Sequence, residues 1–505
     1  MRQVVSTALR SRQFPENRFE RNRRLMVRLI FVIYWLLIFE GVLRKWLIPQ
    51  SSSVLFFIRD PFVAWIYWLA LSRGMRPQRS TFLIFGLAFS VIAFPLIIVQ
   101  FASSPYVHSL MLSGYGWRNY FYYLPLTFFI AKYFRPRDFE RLMRWTMICA
   151  IPVAILVFFQ FRAPAGAPIN RGLAPTSEEV GTGTGAEGAV RPEGTFTSNP
   201  GQGAFVGSVV AMLLAAWLRP KSKRPVRGVL LLAATAGAMT CLALSGSRGA
   251  LVEAGIIFVG GIGAALLSSG RSLALQKLLI PIAGLAVGVL LAPLVFPQAV
   301  RALTVRWENA GYAESHRYGG GGIFGRALND FSAFRFLLTT TPPQGYQMGL
   351  GGNAAGAISR TNTGGKNGSL YDPRLILFGP QELAGVESDW GRQIIELGPV
   401  LGILFILFRV AFVFWLGKEA LIATIRSGDP LPMLFFTFVA VYLFNGQITG
   451  HGSLNGYGWM FAGFCMSINN QAALQGMVRQ KRPSRQPQRT ARIVGFGSEP
   501  QIARS

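Results

Sequence analysis

Residues 80–101 read STFLIFGLAFSVIAFPLIIVQF, an unbroken run without one charged side chain. A helix rises about 1.5 Å per residue, so roughly 20 such residues cross a hydrocarbon core about 30 Å thick. This stretch therefore predicts a membrane span. Working outward from it, comparable apolar stretches run from Leu29 to near Ile468. Spans are expected near 29–48, 54–72, 80–101, 117–134, 142–161, 200–218, 228–245, 249–268, 274–296, 393–416, 431–448 and 456–470. The expected fold is all-α: a polytopic membrane protein of about 12 transmembrane helices, with a large outer loop between helices 9 and 10.

Composition supports one membrane domain with loops. Of 505 residues, 51% are hydrophobic and 14% charged. The net charge of +28 would point to nucleic acid in a soluble chain. Here much of it sits in short loops and both tails, where it orients the helices, so no nucleic-acid partner is expected. Cys149, Cys241 and Cys465 fall inside apolar spans and read as packing residues rather than a disulfide framework. No cleavable signal peptide is expected, because the first span is long, holds Glu40 and lacks a small-residue cleavage site.

Basic clusters on alternate sides set the topology. The N-terminal tail carries Arg18, Arg21, Arg23, Arg24 and Arg28, and RPRDFERLMR and RPKSKRPVR fill two further inward loops. The chain divides into a basic cytoplasmic tail (1–28), helices 1–9 (29–296), a large extracytoplasmic loop (297–390), helices 10–12 (391–470) and a second basic cytoplasmic tail (471–505). Both termini are expected in the cytoplasm and the bundle in the plasma (inner) membrane. Within the long loop, Phe324, Leu328, Phe331 and Leu338 recur near helical spacing and end at Pro342-Pro343. They predict an amphipathic helix that caps the bundle or lies on the membrane.

Arginines also occupy the outward ends, where positive charge should be scarce: Arg44, Arg59, Arg118, Arg162, Arg171, Arg191, Arg248, Arg301 and Arg306. Their recurrence points to a strongly anionic ligand on the outer face. Arg248 sits at the tip of the hairpin Ser245-Gly246-Ser247-Arg248-Gly249, where flanking glycines allow close approach of a ligand. A guanidinium offers a fixed fork to phosphate oxygens, although a snorkelling arginine at a helix end is the plainer reading. Arg191 opens RPEGTF ahead of Ser198 and Asn199, either of which is placed to cap the next helix. Glu40 with Arg44 and Lys45, and Arg59 with Asp60, read as structural ion pairs. His108, His316 and His451 lack metal-ligand spacing; His451, between Gly450 and Gly452, is the best placed to face the bundle centre. The glycines of 345–352 follow no strand, which rejects a nucleotide fingerprint.

Four segments together resemble the O-antigen ligase and O-antigen polymerase superfamily of membrane glycosyltransferases. They are RPEGTFTSNP (191–200), LSGSRGALVE (244–253), the set Gly325-Arg326, Pro343, Gly345 and Gly351-Gly352-Asn353, and ESDWGRQIIELGPVLGILFI (387–406). The resemblance implies a GT-C-like bundle, a polyprenyl-pyrophosphate-linked glycan donor and a sugar or lipid-glycan acceptor. It implies a site on the outer face, no required metal or nucleotide, and polysaccharide-assembly proteins as candidate partners. Arg191, Arg248, Arg301, Arg306 and Arg326 become candidates to hold the pyrophosphate. Ligases of this kind usually carry His-Asn where this chain has Glu387-Ser388. Glu387, with Asp389 as the alternative, is then the candidate general base. The competing readings are a transporter or exporter of an anionic glycolipid or solute and a non-catalytic part of a polysaccharide export complex.

Overall fold

The computed structural model describes residues 18–103, 110–172, 190–268, 271–318, 334–352 and 388–481, and among them every regular element is helical. α1 (Arg18–Val42) runs on through a wide turn at Leu43–Leu47. α2 (Asp60–Ser72), α3 (Thr81–Ser103) and α4 (Leu110–Trp117) follow, then a second wide turn at Arg118–Tyr122 and α5 (Leu124–Tyr133). Next come α6 (Pro136–Arg162), α7 (Asn199–Leu218), α8 (Gly228–Leu244) and α9 (Arg248–Ser268). α10 (Arg271–Val295) and α11 (Pro297–Tyr318) precede a short helix over 334–340. α12 (Asp389–Leu397), α13 (Pro399–Ser427), α14 (Leu431–Asn445) and α15 (Gly452–Lys481) complete the chain as described.

Seven of these helical segments are long and apolar enough to cross a membrane, or eight if the pair bent by 101° between α10 and α11 counts as one span. They make the chain a helical membrane protein. Fewer segments pass than the twelve expected because several apolar stretches are short or broken. α8 has 17 residues and α14 has 15. The stretch at 117–134 is divided by the turn at Arg118–Tyr122. The start of the expected long outer loop is itself helical, as α11, while Phe324, Leu328 and Phe331 lie outside the described residues.

Exposure along α3 shows why the bundle needs lipid. Ile84, Val91 and Ile98, two turns apart, are 67%, 66% and 68% exposed, while Leu83, Ala93 and Gln100 on the other face are buried. Inside the bundle, α15 lies against α5, where a Cβ on Gly463 would stand 2.6 Å from the Thr127 carbonyl oxygen. Trp459, Phe461 and Phe464 of α15 fill the centre with Tyr34 of α1 and Phe128 of α5.

Helix ends carry recognisable stops. Asp138 Oδ2 accepts the Arg135 backbone N–H at 3.0 Å at the start of α6, and Gly428 closes α13 in the left-handed region (φ 64°). Short reversals alternate the helix directions, so the two ends of the bundle differ in kind. One end is tied by Arg23–Asp138 (2.9 Å) and Arg219–Asp429 (2.6 Å). The other gathers the starts of α2, α7, α9, α12 and α15, and it holds the candidate site.

Candidate functional site

Three of the five arginines expected to hold an anion meet at the turn between α8 and α9. Gly246 takes φ 54° there, which lets the chain reverse within Ser245-Gly246-Ser247. Arg306, from α11, donates a hydrogen bond to the Gly246 carbonyl. Arg191 comes alongside from the segment ahead of α7. A Cβ on Gly246 would stand 3.7 Å from Arg191 Cγ and 3.8 Å from Arg306 Nη1. Arg248 opens α9 with its guanidinium 5.8 Å from the Trp307 ring centroid, and its charge opposes that of Arg306.

Burial, and then the neighbouring Arg306, push the Arg191 guanidinium down to about 10, with Glu193 acting weakly the other way. Arg191 is still charged at neutral pH. Its Nε is buried with no hydrogen-bond partner among the described residues. Like charges drawn from three separate segments repel one another, and a phosphate group relieves that repulsion while accepting several N–H donors. The first turn of α9 adds backbone amides of the same sign. Arg301 does not join them: it is exposed, five residues from Arg306 and on a different face of α11. Arg326 lies outside the described residues.

The segment from Arg191 to α7 is pinned at several points. Lys45 Nζ reaches Glu193 Oε2 at 2.8 Å, and the Gly194 N–H donates to Gln160 Oε1 at 2.8 Å. Ser198 occupies the N-cap position but does not cap the helix with its side chain; its Oγ lies 2.8 Å from His451 Nε2 instead. Thr195 Oγ1, Gln202 Nε2 and His451 Nδ1 are buried without partners among the described residues. A polar ligand or water at this segment would complete their bonding.

His451 is the only histidine whose side chain lies among the described residues. Burial, then the charges of Arg392 and Arg59, hold it down at about 4, so the imidazole is neutral at neutral pH and a weaker base than a free histidine. Arg392 is its close neighbour, since a Cβ on Gly450 would fall 1.7 Å from Arg392 Nη1. The spacing of the three histidines could not reveal this dyad, because 253 residues separate Ser198 from His451.

Asp389 is fully buried at the start of α12. Its Oδ2 takes Arg409 and Gln393 (3.2 Å), and its Oδ1 takes Thr449 Oγ1 (2.7 Å) and Arg392 (3.3 Å). A carboxylate so engaged serves as counter-ion to Arg409, which is buried within the apolar helix α13. Removing one partner of such a pair leaves an uncompensated charge, at about 3–5 kcal/mol. Asp389→Ala is therefore expected to lower the thermal unfolding midpoint sharply, with partial recovery in Asp389→Ala/Arg409→Met. A proton-transfer role predicts a different result: a stable Asp389→Asn variant with no turnover. Glu387 lies outside the described residues.

Arg44, Arg59 and Arg118, at the same end of the bundle, are bound to carboxylates. Glu40 pairs with Arg44 (2.8 Å) as its spacing predicts, yet it also takes Arg59 (3.0 Å), while Lys45 goes to Glu193. Asp60 does not pair with the adjacent Arg59. Arg118 grips it with two bonds of 2.6 and 2.8 Å, and Tyr123 donates to it at 2.7 Å. The glycine run after Pro343 packs closely on α4: a Cβ on Gly349 would clash with the Leu112 carbonyl oxygen. No family model, no curated protein and no solved structure matches this chain.

Proposed function

We propose that this chain is a polytopic membrane glycosyltransferase that ligates or polymerises polyprenyl-pyrophosphate-linked oligosaccharide on the outer face of the plasma membrane, in O-antigen or exopolysaccharide assembly. The observation that carries the reading is the convergence of Arg191, Arg248 and Arg306 at the Gly246 turn. In this reading they hold the donor diphosphate and stabilise the charge that grows on it as the glycosyl bond breaks, which is often the largest catalytic effect. The acceptor hydroxyl loses its proton to a base as it attacks. His451 is the proton acceptor the described site offers, and Glu387 is its rival from the family pattern.

The bundle in this reading crosses the membrane about 12 times with both termini in the cytoplasm, so the site opens outward. A cysteine at Ser222 should then stay unlabelled by an impermeant thiol reagent on intact cells, and one at the exposed Thr340 should react. Labelling at Ser222 would reverse the orientation. The activity itself is tested with purified protein in proteoliposomes holding polyprenyl-pyrophosphate glycan and an acceptor glycan. Transferred glycan and free polyprenyl diphosphate are expected.

One feature favours an exporter as the second reading. Glu253, within the apolar helix α9, is buried, accepts a 2.6 Å bond from Tyr442 and leaves Oε1 without a partner among the described residues. Carboxyls inside spans often serve proton relays. Intact donor crossing the bilayer with no glycan transferred would decide for that reading.

A further inference from the structure

The end of the bundle opposite the arginine cluster holds a cavity of about 730 Å³, lined among others by Arg76, Arg79, Lys132, Arg135, Asn470 and Gln471. Four cations reach it from separate places: the turn after α2, the end of α5 and the cap of α6. Their frame is tied together. Lys132 Nζ and Tyr133 Oη both donate to the Arg76 carbonyl (2.8 and 2.9 Å), and Asn470 Nδ2 donates to Gln78 Oε1 (2.9 Å). Gln471 Nε2 donates to the Phe134 carbonyl (3.0 Å), which fixes that wall. Arg135 is paired on its outer side with Glu20 (3.0 Å), whereas Arg76 and Arg79 have no acidic partner among the described residues. No carboxylate lines the cavity.

Orientation by positive charge explains why basic residues lie at this end. It requires only charge near the ends of spans and does not require cations around one interhelical cavity. Such a cavity, of the size of small-molecule sites and at the edge of the bundle, suits a phosphate group held at headgroup depth.

We propose that this cavity binds the phosphate-bearing headgroup of an anionic membrane lipid, with Arg76 and Arg79 as the principal contacts. The proposal is independent of the glycosyltransferase reading. It is tested on the full chain in nanodiscs of phosphatidylcholine doped with phosphatidylglycerol, with retained lipid counted by native mass spectrometry. The chain should retain phosphatidylglycerol over phosphatidylcholine. Arg76→Gln and Arg79→Gln, each at an exposed position, should each weaken retention severalfold, and together by about tenfold or more. Lys221→Gln/Lys223→Gln, which removes two exposed charges at the same end but outside the cavity, should leave retention unchanged. An equal loss in that control would reduce the effect to bulk charge and overturn the site. Equal retention of both lipids, with inorganic phosphate binding in their absence and lost in the Arg76 and Arg79 variants, would assign the cavity to a soluble phosphate and overturn the lipid proposal.

Discussion

Arg248→Ala is expected to lower glycan transfer by about a hundred- to a thousandfold, the cost typical of removing one preorganised donor from developing negative charge. Arg248 opens α9 beside Trp307 and adds to the repulsion around Arg306, so its presence disfavours the empty site and favours the occupied one. The alanine variant should still insert and fold. Arg248→Lys should recover only part of the rate, because an ammonium keeps the charge and loses the planar fork. Arg301→Ala, on an exposed face away from the cluster, should stay near the parent rate. Parent-level transfer by Arg248→Ala, in a variant shown to be inserted, would remove the diphosphate clamp from this site.

The second large effect is expected at His451. His451→Gln keeps a hydrogen-bonding side chain but removes the basic nitrogen, and turnover should fall by about a hundred- to ten-thousandfold, with donor binding unchanged. Ser198→Ala should cost less, since it removes only the hydroxyl that orients Nε2. Glu387→Gln is the rival test. If it abolishes transfer while His451→Gln does not, the base belongs to the long loop and His451 is structural.

His451 also leaves a mark on stability. Its folded value of about 4 lies below the ordinary 6.5, so between these pH values the unfolded chain takes up a proton that the folded chain refuses. Stability contributed by the neutral imidazole is present above about pH 6.5 and is lost as pH falls towards 4, roughly 3 kcal/mol across the window. Unfolding midpoints followed over that range should flatten in His451→Gln. An unchanged slope would mean that the imidazole is not held neutral by burial and the nearby Arg392 and Arg59.

Local sequence determined what depends on neighbours along the chain. Apolar runs such as residues 80–101 must be helical because a bilayer offers backbone amides no other partner. The i,i+4 spacing likewise places Glu40 against Arg44. Sequence also singled out Arg191, Arg248 and Arg306 as misplaced charges, but not that they meet while Arg301 stays apart. That depends on where α11 lies after the bend at Pro297 and on the Arg191 segment packing beside the Gly246 turn, both products of long-range packing. Ion-pair partners were legible only where they share a helix. Asp60 follows Arg59 in the chain yet binds Arg118, and Asp389 binds Arg409 from another helix, because burial rewards the partner that arrives with good geometry, whatever its distance in sequence. The contact between Ser198 and His451 is of the same kind: two helix starts brought to one end of the bundle by alternating spans, a juxtaposition that tertiary structure alone decided.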